Sequence, residues 1–259
     1  MTASLVDLTV RDSIALVRLD RADRLNALSD ELLRDFENAL DRVDASDCRG
    51  IVVTGTGRAF CAGADLGQLL DRLDSGQEQI LAFVRRAGVL FSRLEVSPLP
   101  VIAAVNGTAV AGGFELVLAA DLVVAAEGAL LGDGHVRYGV LPGGGGAVRI
   151  ERKLPANVAR RLLLTGELEP AERFREWGLI EEVVPAERLL DSALALARRI
   201  ASGSARGLSE LKRVANAARD LPTAEALALE FDAFAGYVGS PDLRAGLSAF
   251  RDRSRFSGR

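Results

Sequence analysis

Histidine, tryptophan and methionine each occur once in this chain of 259 residues, and cysteine occurs twice. A single histidine leaves no place for a metal site built from several histidines, so we expect no bound metal. Cys48 and Cys61 are too few for a disulfide framework, and their spacing alone does not show whether they pair. We expect two free thiols, as is usual in a cytosolic protein.

Long apolar runs are also missing, and no segment approaches the roughly 20 residues that a transmembrane helix requires. The first residues include Asp7, Arg11 and Asp12 and lack an apolar signal core, so we expect a cytoplasmic protein without a membrane anchor. The net charge of -4 argues against nucleic acid as the main partner. The hydrophobic share of 49% and the charged share of 26% are typical of globular proteins.

Strands and helices alternate in the first half of the chain, and helices dominate after about residue 143. From short apolar runs we predict strands at residues 4–10, 13–20, 49–54, 101–105, 121–125 and 129–131. Arg11 and Asp12 would form the turn between the first two strands. Helical apolar stripes are predicted over residues 28–43 and about 66–95. The pattern indicates an α/β core with a helical C-terminal region.

The most informative segment is residues 106–115, NGTAVAGGFE, which joins a predicted strand to a predicted helix. Gly112 and Gly113 let the backbone turn tightly and approach a ligand closely. The amides that follow belong to a helix N-terminus, where free N–H groups favour negative charge. Glu115 lies in the first turn of this otherwise apolar helix. Donors for a developing anion beside a carboxylate make a candidate active site.

A second loop of the same kind spans residues 55–65, GTGRAFCAGAD. Here too a strand ends, small residues follow and a helix begins. Asp65 is predicted to cap that helix by accepting backbone N–H bonds. Ala62, Gly63 and Ala64 leave room for a ligand beside the backbone. Taken alone, the segment is better explained as a simple capped loop.

Together the two loops resemble the crotonase family, the enoyl-CoA hydratases and isomerases. The resemblance runs from about residue 5 to residue 256 and rests on the order and spacing of several motifs. The matching segments are 25–28 (LNAL), 57–65 (GRAFCAGAD), 100–107 (PVIAAVNG), 112–115 (GGFE), Asp121, 139–144 (GVLPGG), 164–166 (LTG) and 178–180 (GLI).

The resemblance implies an α/β fold, a crotonase-like spiral of repeated ββα units with a C-terminal helical trimerisation region. We place the spiral core and acyl-CoA site in residues 1–200 and the oligomerisation helices in 201–259. The resemblance further implies an acyl-CoA substrate, with coenzyme A as part of the substrate and no other cofactor, and a homotrimer or homohexamer. By motif position, the backbone N–H groups of Ala64 and Gly112 would hold the thioester oxygen as an oxyanion hole, and Glu115 would be an acid/base catalyst.

The chain departs from the family's pattern at the second catalytic glutamate. Hydratases of the family usually carry it about twenty residues after the first, in a segment like Gly-Gln-Pro-Glu. Here the aligned segment is Gly-Asp-Gly-His, and its last residue, His135, is the only histidine. Imidazole accepts or donates a proton near neutral pH, so His135 is a candidate catalyst, with a structural role as the alternative. If the segment were a strand, Asp133 would share its face and could orient the ring.

Further substrate contacts follow from motif position in the resemblance. The candidates for binding the coenzyme A or acyl part are Arg24, Leu25, Ala27, Ala62, Asp65, Leu66, Pro142, Gly143 and Arg253. Arg251 and Arg255 are equivalent candidates in the basic tail, because the family's usual lysines are absent. The glycine run 143–146 lacks a following Lys-Ser/Thr and a completed Gly-x-Gly-x-x-Gly spacing, so it predicts a tight turn or a flexible segment, not a nucleotide loop. Asp121 is predicted to be a structural turn partner.

These observations favour an enoyl-CoA hydratase-like lyase that adds water across the 2,3 double bond of an acyl-CoA thioester. Another crotonase-type reaction, such as isomerisation, decarboxylation or hydrolysis, stays open. Simple isomerisation is disfavoured because the family's isomerases mostly rely on the glutamate that His135 replaces. A non-catalytic acyl-CoA binder is the alternative from another class, and Glu115 speaks against it. Chain length and pathway are not determined by the sequence.

Overall fold

The computed structural model describes residues 4–256, and describes side chains for residues 4–251. The strands are β1 (Val6–Arg11), β2 (Ile14–Leu19), β3 (Gly50–Gly55), β4 (Ala59–Cys61), β5 (Val101–Val105), β6 (Thr108–Val110), β7 (Leu122–Ala126), β8 (Leu130–Gly132), β9 (Glu169–Pro170) and β10 (Glu182–Val184). The helices are α1 (Asp30–Asp44), α2 (Leu66–Ser75), α3 (Gln77–Val96), α4 (Gly112–Ala119), α5 (Gly146–Lys153), α6 (Ala156–Thr165), α7 (Ala171–Glu176), α8 (Leu189–Ala201), α9 (Ala205–Ala218), α10 (Thr223–Val238) and α11 (Pro241–Phe256).

The described strands form two sheets that are built from one repeated unit. The larger sheet has the order β1-β2-β3-β5-β7-β10, and the smaller has the order β4-β6-β8-β9. Each pair β3–β4, β5–β6 and β7–β8 gives its first strand to the larger sheet and its second to the smaller, and a helix follows. This ββα spiral confirms the predicted fold class. The short strands β4, β6, β9 and β10 were not predicted, because two or three residues carry no readable alternation.

The larger sheet is covered by apolar side chains on both faces. Ile51 and Val53 of β3 point into the main core with α1, whereas Val52 points into a second cluster with α8. The predicted stripe of α1 is buried through Leu32, Leu33, Phe36, Leu40 and Val43. Parallel strands that are buried on both faces have continuous apolar sequences, as β3 and β5 do. Such strands need a helix on each side.

Two local predictions need correction. The first turn lies at Asp12 and Ser13, one residue later than predicted, because Arg11 pairs with Ile14 in the β1–β2 ladder. Both turn residues have positive φ, 51° and 63°, as a tight two-residue hairpin turn demands. The predicted helical region 66–95 is two helices, because Gly76 at φ 117° ends α2 and begins α3. The apolar stripe continued across this break and concealed it.

The C-terminal helices leave apolar side chains uncovered. Helix α10 packs on α9, and Lys212 of α9 forms an ion pair with Asp121 at 2.7 Å. Leu227, Phe231 and Phe234 of α10 stay exposed, each by more than half of its surface. Assembly through residues 201–259, and the division at residue 200, stay predictions. No helix in residues 4–256 is long and apolar enough to cross a membrane.

Candidate active site

The site lies along one edge of the smaller sheet. Strands β4, β6 and β8 are parallel, so their carboxyl ends meet at the same edge, and β9 runs antiparallel to β8, so its start lies there too. The segments that leave or enter at this edge are 62–65, 111–112, 133–135 and 166–168. The order of the strands therefore brings together the two loops and the His135 segment, which are far apart in sequence.

The amides of Ala64 and Gly112 lie close together at this edge. A Cβ placed on Gly112 would be 3.7 Å from the nitrogen of Ala64. A bridge between Leu28 and Ala64 holds the first loop, and the Ala64 amide has no acceptor among the described residues. Gly112 begins α4, where amides lack an intrahelical acceptor. The preceding Ala111 has φ 52°, a strained conformation of the kind that clusters at functional sites.

Leu25 and Asn26 support the first loop from behind. The carbonyl of Leu25 accepts the amide of Ala62 at 3.0 Å, and Asn26 is fully buried and donates to the carbonyls of Thr56 and Ala59. Both residues have positive φ, 53° and 55°. Leu25 therefore fixes the loop through its backbone, and its side chain does not line the cavity described below.

Asp65 caps α2 as predicted, by accepting N–H bonds from Gly67 and Gln68. Its other oxygen pairs with Arg21 at 2.8 Å, and Arg21 also donates to the carbonyl of Ala27 at 3.0 Å. Asp65 therefore holds the loop in place in addition to lining the cavity. Sequence reasoning missed Arg21. Arg21 lies outside the LNAL motif at residues 25–28, and no sequence pattern indicated its role.

The carboxylate of Glu115 reaches from α4 to the N-terminus of α5. Its Oε1 accepts the amides of Gly144 at 2.9 Å and Gly146 at 2.8 Å, and Oε2 accepts no hydrogen bond from the described residues. The residue is only 4% exposed. Burial raises the pKa of the Glu115 carboxyl above its usual value, although the two amides and the charge of His135 oppose part of that rise. Oε2 is therefore the oxygen available for chemistry.

The glycine run 143–146 makes room for this carboxylate. A Cβ on Gly144 would lie 2.6 Å from Glu115 Oε2, and one on Gly146 would lie 3.0 Å from Oε1. Arg149 anchors the turn by donating to the carbonyl of Gly144 at 2.6 Å while it pairs with Glu95 at 2.9 Å. The run is thus the predicted tight turn before a helix, and the anion it holds is the protein's own glutamate.

His135 begins a short 3-10 helix, so the condition under which we expected Asp133 to share a strand face is not met. The contact forms nevertheless, because the chain folds back at Gly134, which has φ 67°. Asp133 Oδ1 lies 3.0 Å from His135 Nδ1 and accepts the His135 amide at 3.3 Å. With Nδ1 engaged, Nε2 is the ring nitrogen left for a ligand.

The charges around His135 favour its protonated form. Burial would lower the pKa of the ring, but the hydrogen bond and charge of Asp133, together with the charge of Glu115, outweigh burial and raise that pKa. Asp133 is buried, and its Oδ2 has no hydrogen-bond partner among the described residues. Because an unpaired buried carboxylate is costly, a positive charge on His135 offsets part of that cost.

A cavity of about 530 Å³ joins these groups. The predicted site residues that line it are Arg24, Ala27, Ala62, Ala64, Asp65, Leu66, Gly112, Glu115, His135 and Gly143. Leu25 and Pro142 are not among its lining residues, and the side chain of Arg253 lies outside the described residues. One wall of the cavity is apolar and consists of Leu69 of α2 and Phe83, Val84 and Ala87 of α3. Of these, only Phe83 belonged to the apolar side predicted for residues 66–95, and the other three were missed.

Three residues outside the cavity behave as predicted. Cys48 and Cys61 are free and buried, and burial raises the pKa of the Cys61 thiol to about 12, so it is an inert core residue. Asp121 accepts the amide of Val101 at 2.7 Å and pairs with Lys212, which makes it a structural turn partner. Residues 4–251 contain no group of three or more His, Cys, Asp or Glu side chains placed to hold a metal ion.

Known proteins are similar to this chain in sequence and in fold. A family profile described as Enoyl-CoA hydratase/isomerase matches residues 9–258. A Bacillus subtilis protein provisionally named enoyl-CoA hydratase/isomerase YngF is 35% identical over 94% of both chains. The 2,3-dehydroadipyl-CoA hydratase of Escherichia coli is 32% identical over 92% of this chain and 91% of that protein. A crystal structure of an enoyl-CoA hydratase from Polaromonas sp. JS666 superimposes with a TM-score of 0.92 at 30% identity, covering 96% and 97% of the two chains.

The fold and the paired loops define an enzyme of the crotonase superfamily. The chain belongs to the enoyl-CoA hydratase/isomerase family. It is an enoyl-CoA hydratase or a related enzyme of the crotonase superfamily, and it catalyses a crotonase-type reaction on an acyl-CoA.

Proposed function

We propose that the protein is an enoyl-CoA hydratase that adds water across the 2,3 double bond of an acyl-CoA thioester. The observation that carries the proposal is that Glu115 and His135 open into one cavity beside the amides of Ala64 and Gly112. Two N–H groups at this point would bind the thioester oxygen and stabilise the enolate formed on attack at C3. A donor of this type typically contributes roughly 2.7–4 kcal/mol to lowering a barrier.

The two titratable groups take complementary roles in this proposal. Glu115 Oε2 accepts a proton from water as the oxygen attacks C3, and the His135 imidazolium donates a proton to C2 of the enolate. The assignment follows from burial, which raises the pKa of Glu115 and makes its ionised form a stronger base, and from the carboxylates, which favour protonated His135. Transfer of the proton from Glu115 to His135 then restores the starting state, so the cycle needs no cofactor beyond the coenzyme A of the substrate.

One observation favours a second candidate, hydrolysis of the thioester. A carboxylate bound to Nδ1 of a histidine, beside an oxyanion hole, is the arrangement that many hydrolases use to activate an attacking group. Asp133 and His135 have that relation at 3.0 Å. Hydrolysis would release free coenzyme A, whereas hydration would keep the thioester intact, so a thiol reagent distinguishes the two reactions.

The decisive variant is Glu115→Gln, with Glu127→Gln as the matched control. Glu127 is exposed on the turn between β7 and β8 and does not line the cavity. The assay follows the decrease of the conjugated enoyl absorbance of crotonyl-CoA and 2,3-dehydroadipyl-CoA. The rate of this decrease should be roughly a hundredfold lower or more in Glu115→Gln, because removal of a general base typically costs a factor of about 10²–10⁴ in rate. The control should keep full activity. Full activity in a folded Glu115→Gln would remove the proposed base.

We also propose assembly into a homotrimer or homohexamer through the exposed apolar residues of α10. Leu227, Phe231, Phe234 and Val238 recur at helical spacing and are more than half exposed. Contiguous exposed apolar patches typically mark protein interfaces.

A further inference from the structure

We propose that Arg137 selects acyl-CoA substrates whose acyl chain ends in a carboxylate. Arg137 lines the same cavity as Glu115 and His135, two residues beyond the histidine in the 3-10 helix. The proposal rests on the proposed function in one respect, since it takes the acyl group to lie beside Glu115 and His135. It assigns a substrate class that the catalytic groups themselves do not define.

The order of strands places Arg137 at the acyl end of the site. The thioester oxygen would bind between the ends of β4 and β6, and C2 and C3 would lie next to His135 at the end of β8. The segment 166–168 comes next, at the start of β9. Since neighbouring strands are about 4.8 Å apart, the start of β9 lies roughly 10 Å from the end of β6. Arg137 contacts this last segment, through Gly166.

The stem of Arg137 is held against Gly166. A Cβ on Gly166 would lie 2.8 Å from Arg137 Cγ and 3.5 Å from Cδ, so a larger residue there would displace the arginine. Gly166 also ends α6 at φ 66°, a conformation that L side chains rarely adopt. The glycine that ends α6 therefore fixes where the side chain of Arg137 lies.

The nearby carboxylates do not neutralise Arg137. Glu167 and Glu169 both pair with Arg161, each at 2.7 Å. Within residues 4–251, no carboxylate forms an ion pair with Arg137. A guanidinium offers paired donors that match a carboxylate in geometry and charge, so a substrate carboxylate would complete this site.

Arg24 also lines the cavity and is the candidate for coenzyme A phosphates. It precedes Leu25, whose carbonyl accepts the amide of Ala62 just after β4, whereas Arg137 contacts the segment before β9, at the other end of the sheet order β4-β6-β8-β9. Arg137 is exposed at the rim, so a bound carboxylate would keep part of its hydration and its desolvation would be inexpensive. An acyl chain that ends in a methyl group would gain nothing from this charge.

The test compares an enoyl-CoA that ends in a carboxylate with the methyl ester of the same compound, over several chain lengths. In wild type the free acid should have the higher kcat/KM at one chain length at least. Arg137→Gln should lower kcat/KM for the acid by about tenfold, mainly through KM, and leave the ester within twofold. Arg188→Gln, an exposed arginine in another 3-10 helix, is the control and should change neither. An equal loss for acid and ester would assign Arg137 to coenzyme A or to folding and overturn the proposal, as would no loss for either.

A binding experiment separates this proposal from the hydration chemistry. Isothermal titration of the saturated dicarboxylic acyl-CoA and of its methyl ester requires no turnover. Wild type should bind the acid more tightly than the ester, and Arg137→Gln should abolish the difference. This preference would persist if the reaction were hydrolysis and would disappear if Arg137 were not the selecting group. Equal affinities of wild type for acid and ester would overturn the proposal, whatever reaction the enzyme catalyses.

Discussion

Replacing Asp133 by asparagine keeps the shape of the side chain and removes the charge that faces His135. In wild type Asp133 Oδ1 lies 3.3 Å from the His135 amide nitrogen and 3.0 Å from Nδ1 of the ring. The amide oxygen of asparagine can still accept both hydrogen bonds. A hydrogen bond to a charged group contributes about 1.5–3 kcal/mol, against about 0.5–1.5 kcal/mol for a neutral one. The imidazolium loses more of this stabilisation than the neutral ring does, because only the imidazolium is also attracted by the charge of Asp133. We therefore expect the pKa of His135 to fall in Asp133→Asn.

The single histidine makes this shift directly measurable. Only one imidazole exists in the chain, so its NMR signals need no assignment once any affinity tag has been removed. A titration should give a pKa above the ordinary value of 6.5 in wild type and a lower one in Asp133→Asn. The alkaline limb of kcat/KM should move to lower pH by the same amount if His135 is the proton donor. A shift in the NMR titration without a shift in the rate profile would refute the assigned role.

The same change has a consequence for stability with a defined sign. The pKa of His135 is raised in the folded state, so its contribution to the free energy of unfolding is fully present below about pH 6.5 and is lost as pH rises through the folded pKa. Asp133→Asn should remove most of this pH dependence. Above the folded pKa, where the ring is neutral, the variant should be at least as stable as wild type, because an unpaired amide NH2 in place of Oδ2 costs less to bury than an unpaired carboxylate oxygen.

Two further substitutions test the supporting structure. Gly144→Ala would place a Cβ 2.6 Å from Glu115 Oε2 and should lower the hydration rate by roughly a hundredfold in a folded protein, whereas Gly236→Ala, whose Cβ would meet nothing within 4 Å, should leave the rate unchanged. Lys212→Met removes the cation that pairs with Asp121, whose side chain is 27% exposed, and should lower the free energy of unfolding by about 1.5–3 kcal/mol, the contribution of a hydrogen bond to a charged group, in thermal or chemical denaturation, with part recovered in the double variant that also carries Asp121→Asn.

Much of the fold was predictable because its signals are local. The stripe of α1 and the apolar strands β3 and β5 have the periodicities of a half-buried helix and of fully buried strands. The break at Gly76 was not predictable from the same pattern, because apolar residues continue on both sides of it at helical spacing. The assignment of alternate strands to two sheets depends on long-range pairing that no single segment encodes.

The candidate site was predictable where the chain itself carries the chemistry. Glu115 could be named because it follows a glycine pair at a helix start, and His135 because the resemblance to the crotonase family places it at the position of the second glutamate. The contact with Asp133 depended on the local fold, and the strand on which that inference was conditional is absent from this segment. Arg21 and Arg149 were not found, because each acts through a carbonyl or carboxylate that is remote in sequence.

The origin of the oxygen in the product tests the account most directly. We would incubate the enzyme with an enoyl-CoA in ¹⁸O-labelled water and analyse the acyl-CoA by mass spectrometry. The account predicts one labelled oxygen in a hydroxyl group at C3, an intact thioester, and a rate of label incorporation that is roughly a hundredfold lower with Glu115→Gln. Label in a free carboxylate with release of coenzyme A, or a rearranged product without label, would contradict it.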